Sequence, residues 1–406
     1  MSVSNILNIN NGVDYDENIT RYDVHNYSPA TSLSLDAADN IIISVNQESS
    51  YLLISESGIY IEGKITKGDG TGLPAGTEVT LVNNALCFLF SEIRLEMNNV
   101  EIDSCKEVGI TSSLKAYASY SQNELKRFET TGWNKTIALG EGFTFSGYIP
   151  LKFILGFAEN YEKIILNQRM DLILMRSKKP KDALKGAATL DTKIQLTKIL
   201  WKVPHIQVSD PIRLQLLSQY RKNIPVTMSF RKWNLNYYPN IPAVKESSWT
   251  VRSTTAVERP RYIILGFQTS RDNDFTKDPS EFDHCDLKNL KVFLNSESYP
   301  YEALNLDMGG KKYVPLYLMY CAFQESYYGK LSEPFLAYNE FLSKAPIVVI
   351  DCSKSYELWK HSSSVDIRVE YELKNNAPND TDLFALIIHD SVVRLQPLTN
   401  SIQKVM

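Results

Sequence analysis

The chain has 406 residues, 43% of them hydrophobic and 22% charged, enough for two or three domains with separate cores. Its net charge of −4, from 43 Lys and Arg against 47 Asp and Glu, excludes a protein that coats nucleic acid through a large cationic excess. No apolar run reaches the roughly 18 residues that a membrane-spanning helix needs.

Residues 1–34 are rich in Asn, Asp and Tyr with little periodicity, and read as an N-terminal arm that only a neighbour would order. The start lacks the charged and apolar regions of a signal peptide, so the sequons at Asn18, Asn134 and Asn379 are not expected to carry glycans. Strands are predicted at 41–45, 51–55, 58–65, 77–82, 86–97 and 100–103, with a Gly-rich break at 67–72. A helix is predicted over 112–130, where Leu114, Tyr117, Leu125 and Phe128 form an imperfect stripe. Strands follow at 143–149, 170–176 and 194–203, with a short helix at 151–161 between the first two.

The join is legible. Asp210 occupies an N-cap position and Pro211 the first helical position, Ile212, Leu216 and Tyr220 recur every four residues, and Pro225 closes the linker. Over 226–238 the apolar phase changes from even (Val226, Met228, Phe230) to odd (Trp233, Leu235, Tyr237), which predicts a bulge or a corner. Further strands are predicted at 249–253, 261–269, 290–295, 346–352, 365–373 and 383–393, and a helix at 313–328. In 365–373, Val365, Ile367, Val369, Tyr371 and Leu373 alternate with Asp366, Arg368, Glu370 and Glu372, the pattern of an antiparallel sheet with one dry face.

The second half repeats the first. Glu92 to Asp103 reads as a hairpin around Asn98-Asn99, and Leu290 to Tyr301 reads the same way around Asn295. Asn98 and Asn295 lie 197 residues apart, a spacing that also carries 112–130 onto 309–327 and Pro150 to within one residue of Pro346. The closing strands 194–203 and 383–393 match nearer 190. A period of this size means two copies of a whole domain. The expectation is an all-β fold of two tandem eight-stranded antiparallel jelly rolls (a double jelly roll) with short inserted helices: arm 1–34, first roll 35–208, linker helix 209–225, second roll 226–406.

Catalytic patterns are weak. The five cysteines (Cys87, Cys105, Cys285, Cys321, Cys352) form no Cys-x-x-Cys pair, which argues against structural zinc and for reduced thiols in a cytosolic or nuclear protein. The histidines (His25, His205, His284, His361, His389) form no metal or nucleophile-base pattern. His284 and Cys285 are sequence neighbours, which point to opposite faces of a strand. The glycines of 68–76 lack the Gly-Lys-Ser/Thr element of a phosphate loop. One cluster remains: the basic run Arg176-Ser177-Lys178-Lys179-Pro180-Lys181 with Lys185, read as a solvated loop, or as a nuclear-import or genome-contact loop through Lys178, Lys179, Lys181 and Lys185.

Six segments carry a resemblance: 88–103 (FLFSEIRLEMNNVEID), 149–165 (IPLKFILGFAENYEKII), 198–206 (KILWKVPHI), 259–271 (RPRYIILGFQTSR), 282–301 (FDHCDLKNLKVFLNSESYPY) and 386–400 (LIIHDSVVRLQPLTN). Together they resemble the double jelly-roll major capsid proteins of arthropod-associated DNA viruses (Polinton-like and adintovirus-like) and related proteins encoded in arthropod genomes. That resemblance implies a non-enzymatic structural protein without cofactor or metal, forming homotrimers whose six rolls mimic a hexagon and tile an icosahedral virion. It also implies capsomer-capsomer contacts, penton or minor capsid partners, weak or indirect nucleic-acid contact, and assembly in the host nucleus or cytoplasm. A host-domesticated capsid relative and a carbohydrate-binding β-sandwich protein are the alternatives.

Overall fold

The computed structural model describes residues 18–405 apart from 31–34, 36–39, 47–49, 167, 188–190, 252–258 and 355–364. Residues 1–17 and 31–34 of the expected arm, the end of the strand expected at 249–253, and His361 therefore lie outside the described residues.

The first half contains β1 (Ile19–Tyr27), β2 (Asn40–Val45), β3 (Tyr51–Leu52), β4 (Gly58–Lys67), β5 (Val79–Leu81), β6 (Phe90–Met97), β7 (Val100–Lys106), β8 (Thr144–Pro150), β9 (Met170–Arg176), β10 (Leu184–Gly186) and β11 (Thr192–Val208). The second contains β12 (Val226–Tyr238), β13 (Glu246–Val251), β14 (Pro260–Thr269), β15 (Leu287–Leu294), β16 (Glu297–Tyr299), β17 (Val348–Asp351), β18 (Ile367–Leu373), β19 (Thr381–Gln396) and β20 (Ser401–Val405). Helices are α1 (Ala85–Phe88), α2 (Val108–Ser119), α3 (Gln122–Leu125), α4 (Leu151–Ile154), α5 (Gly156–Asn160), α6 (Asp210–Arg221), α7 (Val314–Tyr328) and α8 (Tyr338–Lys344).

The sheets bear out the fold class. In the first half β1-β11-β4-β8 faces β2-β9-β6-β7; in the second β12-β19-β14-β17 faces β13-β18-β15-β16. Setting aside the short β3, β5, β10 and β20, each half has eight strands among the described residues, in the same order: first, last, third, sixth in one sheet, and second, seventh, fourth, fifth in the other. That order is the jelly roll, made twice. Local chemistry explains the strands. In β18, Ile367, Val369, Tyr371 and Leu373 are buried while Arg368 is exposed, so one register alone keeps the charges wet. The apolar residues of both halves merge into one continuous core.

The equivalence corrects the arm. Ile19–Tyr27 is the first strand of the first roll, antiparallel to β11 and occupying the place of β12 in the second. Most of its side chains are exposed, so it is held by main-chain hydrogen bonds and shows no apolar alternation to read. As the strand runs predict, Pro150 ends β8 and Pro346 precedes β17, so the two prolines sit at opposite ends of equivalent strands.

Other differences have local causes. The strand expected at 86–97 begins at Phe90, because Asn84 at φ 60° turns the chain into α1. The helix expected at 112–130 breaks where Tyr120 is extended, and Ser121 starts α3 through a capping box with Glu124. The helix at 151–161 breaks at extended Leu155. The cap of α6 is Ser209 rather than Asp210. No bulge interrupts β12, which pairs with β19 in unbroken register; Phe230 and Trp233, of opposite parity, are both buried because the first half covers them, Phe230 against Phe157 and Trp233 against Lys115, whereas Tyr237 is exposed.

The two hairpins have the expected turns, with Asn98, Asn99 and Asn295 all at positive φ. Asn tolerates this conformation and β-branched residues do not. Replacing exposed Asn99 with Val is expected to cost about 1–2 kcal/mol, and Asn99→Gly almost nothing, as read from urea midpoints.

Candidate functional site

Among the described residues no three His, Cys, Asp or Glu side chains are placed to hold a metal. His284 Nδ1 accepts from the Asp286 amide at 2.9 Å, while the Cys285 thiol lies 3.7 Å from the Thr269 hydroxyl. Burial pushes that thiol up to about 11, away from a nucleophilic thiolate. The basic run divides. Lys178, Lys179 and Lys185 are all exposed, but Lys179 pairs with Asp272 at 2.6 Å, and the half-buried Lys181 lies 5.2 Å over the Phe275 ring. These last two contacts tie the first roll to the second.

Contacts of that kind concentrate along the seam between the rolls, where charge is most deeply buried. Lys115, on the wholly buried helix α2, has a side chain 1% exposed and donates to Glu159 of α5 at 3.0 and 3.3 Å. It also donates to the Tyr328 hydroxyl at 2.9 Å and lies 4.6 Å over Trp233 and 4.7 Å over Tyr327. Glu159 accepts from Tyr120 at 3.3 Å, Tyr327 at 3.1 Å and Tyr328 at 2.6 Å. Lys115, Tyr120 and Glu159 belong to the first roll; Trp233, Tyr327 and Tyr328 belong to the second. Burial pulls the ammonium below the usual lysine range while the adjacent carboxylate opposes it, and the three phenols are raised, first by burial.

Around this cage the seam is polar and interlocked. Arg231 stacks 4.2 Å over Tyr327, and its amide donates to Asn160 Oδ1 at 2.8 Å. Lys232 reaches Glu101 at 3.4 Å. Beside it, buried Asp103 accepts from the Phe157 and Ser104 amides at 2.9 and 2.8 Å, and burial raises its carboxyl to about 6. Asn83 donates to Ser280 Oγ at 2.9 Å, and the Gly186 amide to the Phe275 carbonyl at 2.9 Å. Asp182 accepts from the Asn273 amide at 2.6 Å and is pushed up to about 7, first by burial.

Sequence reasoning missed Lys115 and Glu159. The readable signal was a single lysine inside a run of small and apolar residues, Ser112-Ser113-Leu114-Lys115-Ala116-Tyr117-Ala118-Ser119, where a solvated lysine does not belong.

Comparison with family models matches residues 79–393 to the double jelly roll-like domain. The chain belongs to that family. Among solved structures, PBCV-1 VP54, fitted into a reconstruction of the virophage Sputnik, superposes on the double jelly-roll chain with a TM-score of 0.62 at 10% identity, covering 98% of this chain and 99% of that one. The Faustovirus major capsid protein gives 0.60 at 11% identity over 95% and 92%. The mavirus major capsid protein gives 0.54 at 11% over 98% and 91%. Comparison of the sequence with curated proteins finds no match.

Proposed function

We propose that this chain is a major capsid protein that assembles as homotrimers and tiles an icosahedral virion. The observation that carries the reading is the seam: two equivalent jelly rolls are locked side by side by buried polar contacts, so one chain supplies two fixed corners of a hexagon and three chains supply six. Likeness in fold to viral capsid proteins over nearly the whole chain supports the same reading, and with it a structural rather than catalytic role. As part of this proposal the virus is one of the arthropod-associated Polinton-like and adintovirus-like group, a reading supported by the resemblance of the six segments quoted above. Pentons or minor capsid proteins would be its further partners, and assembly would take place in the host nucleus or cytoplasm.

One end of the molecule suits such contacts. The Ser209 amide donates to the Asn18 carbonyl, and the Tyr220 hydroxyl to Asn400 Oδ1 at 3.1 Å, which gathers the start of β1, helix α6 and the turn before β20. There α6 has no buried residue, and Ile19, Leu214, Leu217, Ile224 and Leu398 are exposed, an apolar surface that calls for a partner. Purified protein is expected to elute as a trimer whose negative-stain images show a six-lobed outline. A monomer that persists at high concentration would sink the proposal.

A further inference from the structure

Besides its ladder, a side-chain cluster holds β1 in place. On β11, His205 is 3% exposed and has both ring nitrogens engaged, Nε2 with the Tyr27 hydroxyl at 2.9 Å and Nδ1 with the Ser50 hydroxyl at 2.7 Å. The exposed His25 ring stacks on it, 4.2 Å between centroids and 27° between planes. His25 and Tyr27 both belong to β1, so the cover over His205 is the strand itself. Asp23, ion-paired with Arg21, is its cross-strand partner. Among the described residues, the charged or titratable groups that the pairing and side-chain contacts set against His205 are thus Asp23, His25 and Tyr27 on β1, with Arg21 beside them; Tyr51 on β3 pairs with Ile206 instead. Lys202, farther along β11, lies over the Tyr60 ring instead.

We propose that the His25–His205 stack is an acid-sensitive latch: acidification peels β1 from β11 while the rest of the first roll stays folded. Two imidazolium ions stacked in a half-desolvated place repel strongly. Burial, and then the charge of His25, hold His205 down to about 4 from its ordinary 6.5, with Asp23 opposing. Once β1 lifts, His205 regains water and its ordinary value, so opening takes up a proton. The latch is therefore intact above the ordinary value and weakens as pH falls towards the folded one. By about pH 4.5 the opening equilibrium rises on the order of 50-fold. Opening stays local because β1 is an edge strand with mostly exposed side chains, whereas β4 is buried along most of its length.

The test is hydrogen exchange on the full chain at about pH 7.5 and 4.5, corrected for the intrinsic pH dependence of exchange. Amides of β1 are expected to lose at least about tenfold protection in acid while those of β4 and β8 keep theirs. His205→Gln should abolish the difference. His25→Gln, which leaves the hydrogen bonds of His205 in place, should reduce it. Equal protection of β1 at both pH values, no protection at neutral pH, or acid loss across the whole roll would each overturn the latch. Should His205→Gln not fold, His25→Gln decides: an acid response identical to wild type overturns the role of the stack.

Discussion

Replacing Lys115 with Met is expected to destabilise the fold by about 3–5 kcal/mol, the range for removing one partner of a buried ion pair. Methionine keeps the unbranched stem of the side chain as far as Cε and removes the ammonium that lies over Trp233, so the loss falls chiefly on the charge and its contacts. Glu159, 9% exposed, would keep three tyrosine donors but no cation. Hydrogen bonds from neutral phenols do not replace a counter-charge where water is excluded. The double variant Lys115→Met with Glu159→Gln removes the stranded charge and is expected to recover at least half of the loss. Urea unfolding checks both. A single variant within about 0.5 kcal/mol of wild type, or a double no better than the single, would remove the cage from the account. Because Trp233, Tyr327 and Tyr328 come from the second roll, the single variant should also split one unfolding transition into two as the rolls uncouple.

Gly156→Ala is expected to cost about 3 kcal/mol, at the upper end for overpacking. A Cβ at Gly156 would stand 1.8 Å from the Arg231 carbonyl oxygen and 2.9 Å from its carbon. Neither backbone can yield freely. Residue 156 opens α5, whose Asn160 binds the Arg231 amide, and Phe157 meets Phe230 edge-on at 5.3 Å. The only relief is to part α5 from β12, which parts the two rolls. Gly72→Ala is the control: among the described residues nothing lies within 4 Å of its Cβ, so a change within about 0.5 kcal/mol is expected. Calorimetry reads the stability and size-exclusion chromatography the yield of the proposed trimer. Equal melting temperatures for the two variants would show that the close approach is not what joins the rolls.

Much of the architecture was legible in the residues. Met170–Arg176 and Val226–Tyr238 lie where their patterns put them, and the Asn98 and Asn295 turns mark equivalent hairpins of the two rolls. Errors cluster where both faces of a segment are covered or neither is. Ala85–Phe90 is buried throughout, so nothing in its pattern separates the helix from the strand. Ile19–Tyr27 is exposed on both faces, so its side chains leave no trace of the ladder that holds it. The basic run was found as a cluster, but its attachment to Asp272 and Phe275 was not, because those partners lie about ninety residues away.

By itself the sequence determined the all-β class, the duplication and the place of most strands, because a strand with one wet and one dry face records both in alternate residues. Only the tertiary structure decided that residues 19–27 open the first roll and that Lys115 shares a buried cage with Glu159 and three tyrosines. Those facts depend on which distant segment comes to lie alongside, and a pairing across 44 to 213 residues imposes no local period on either partner.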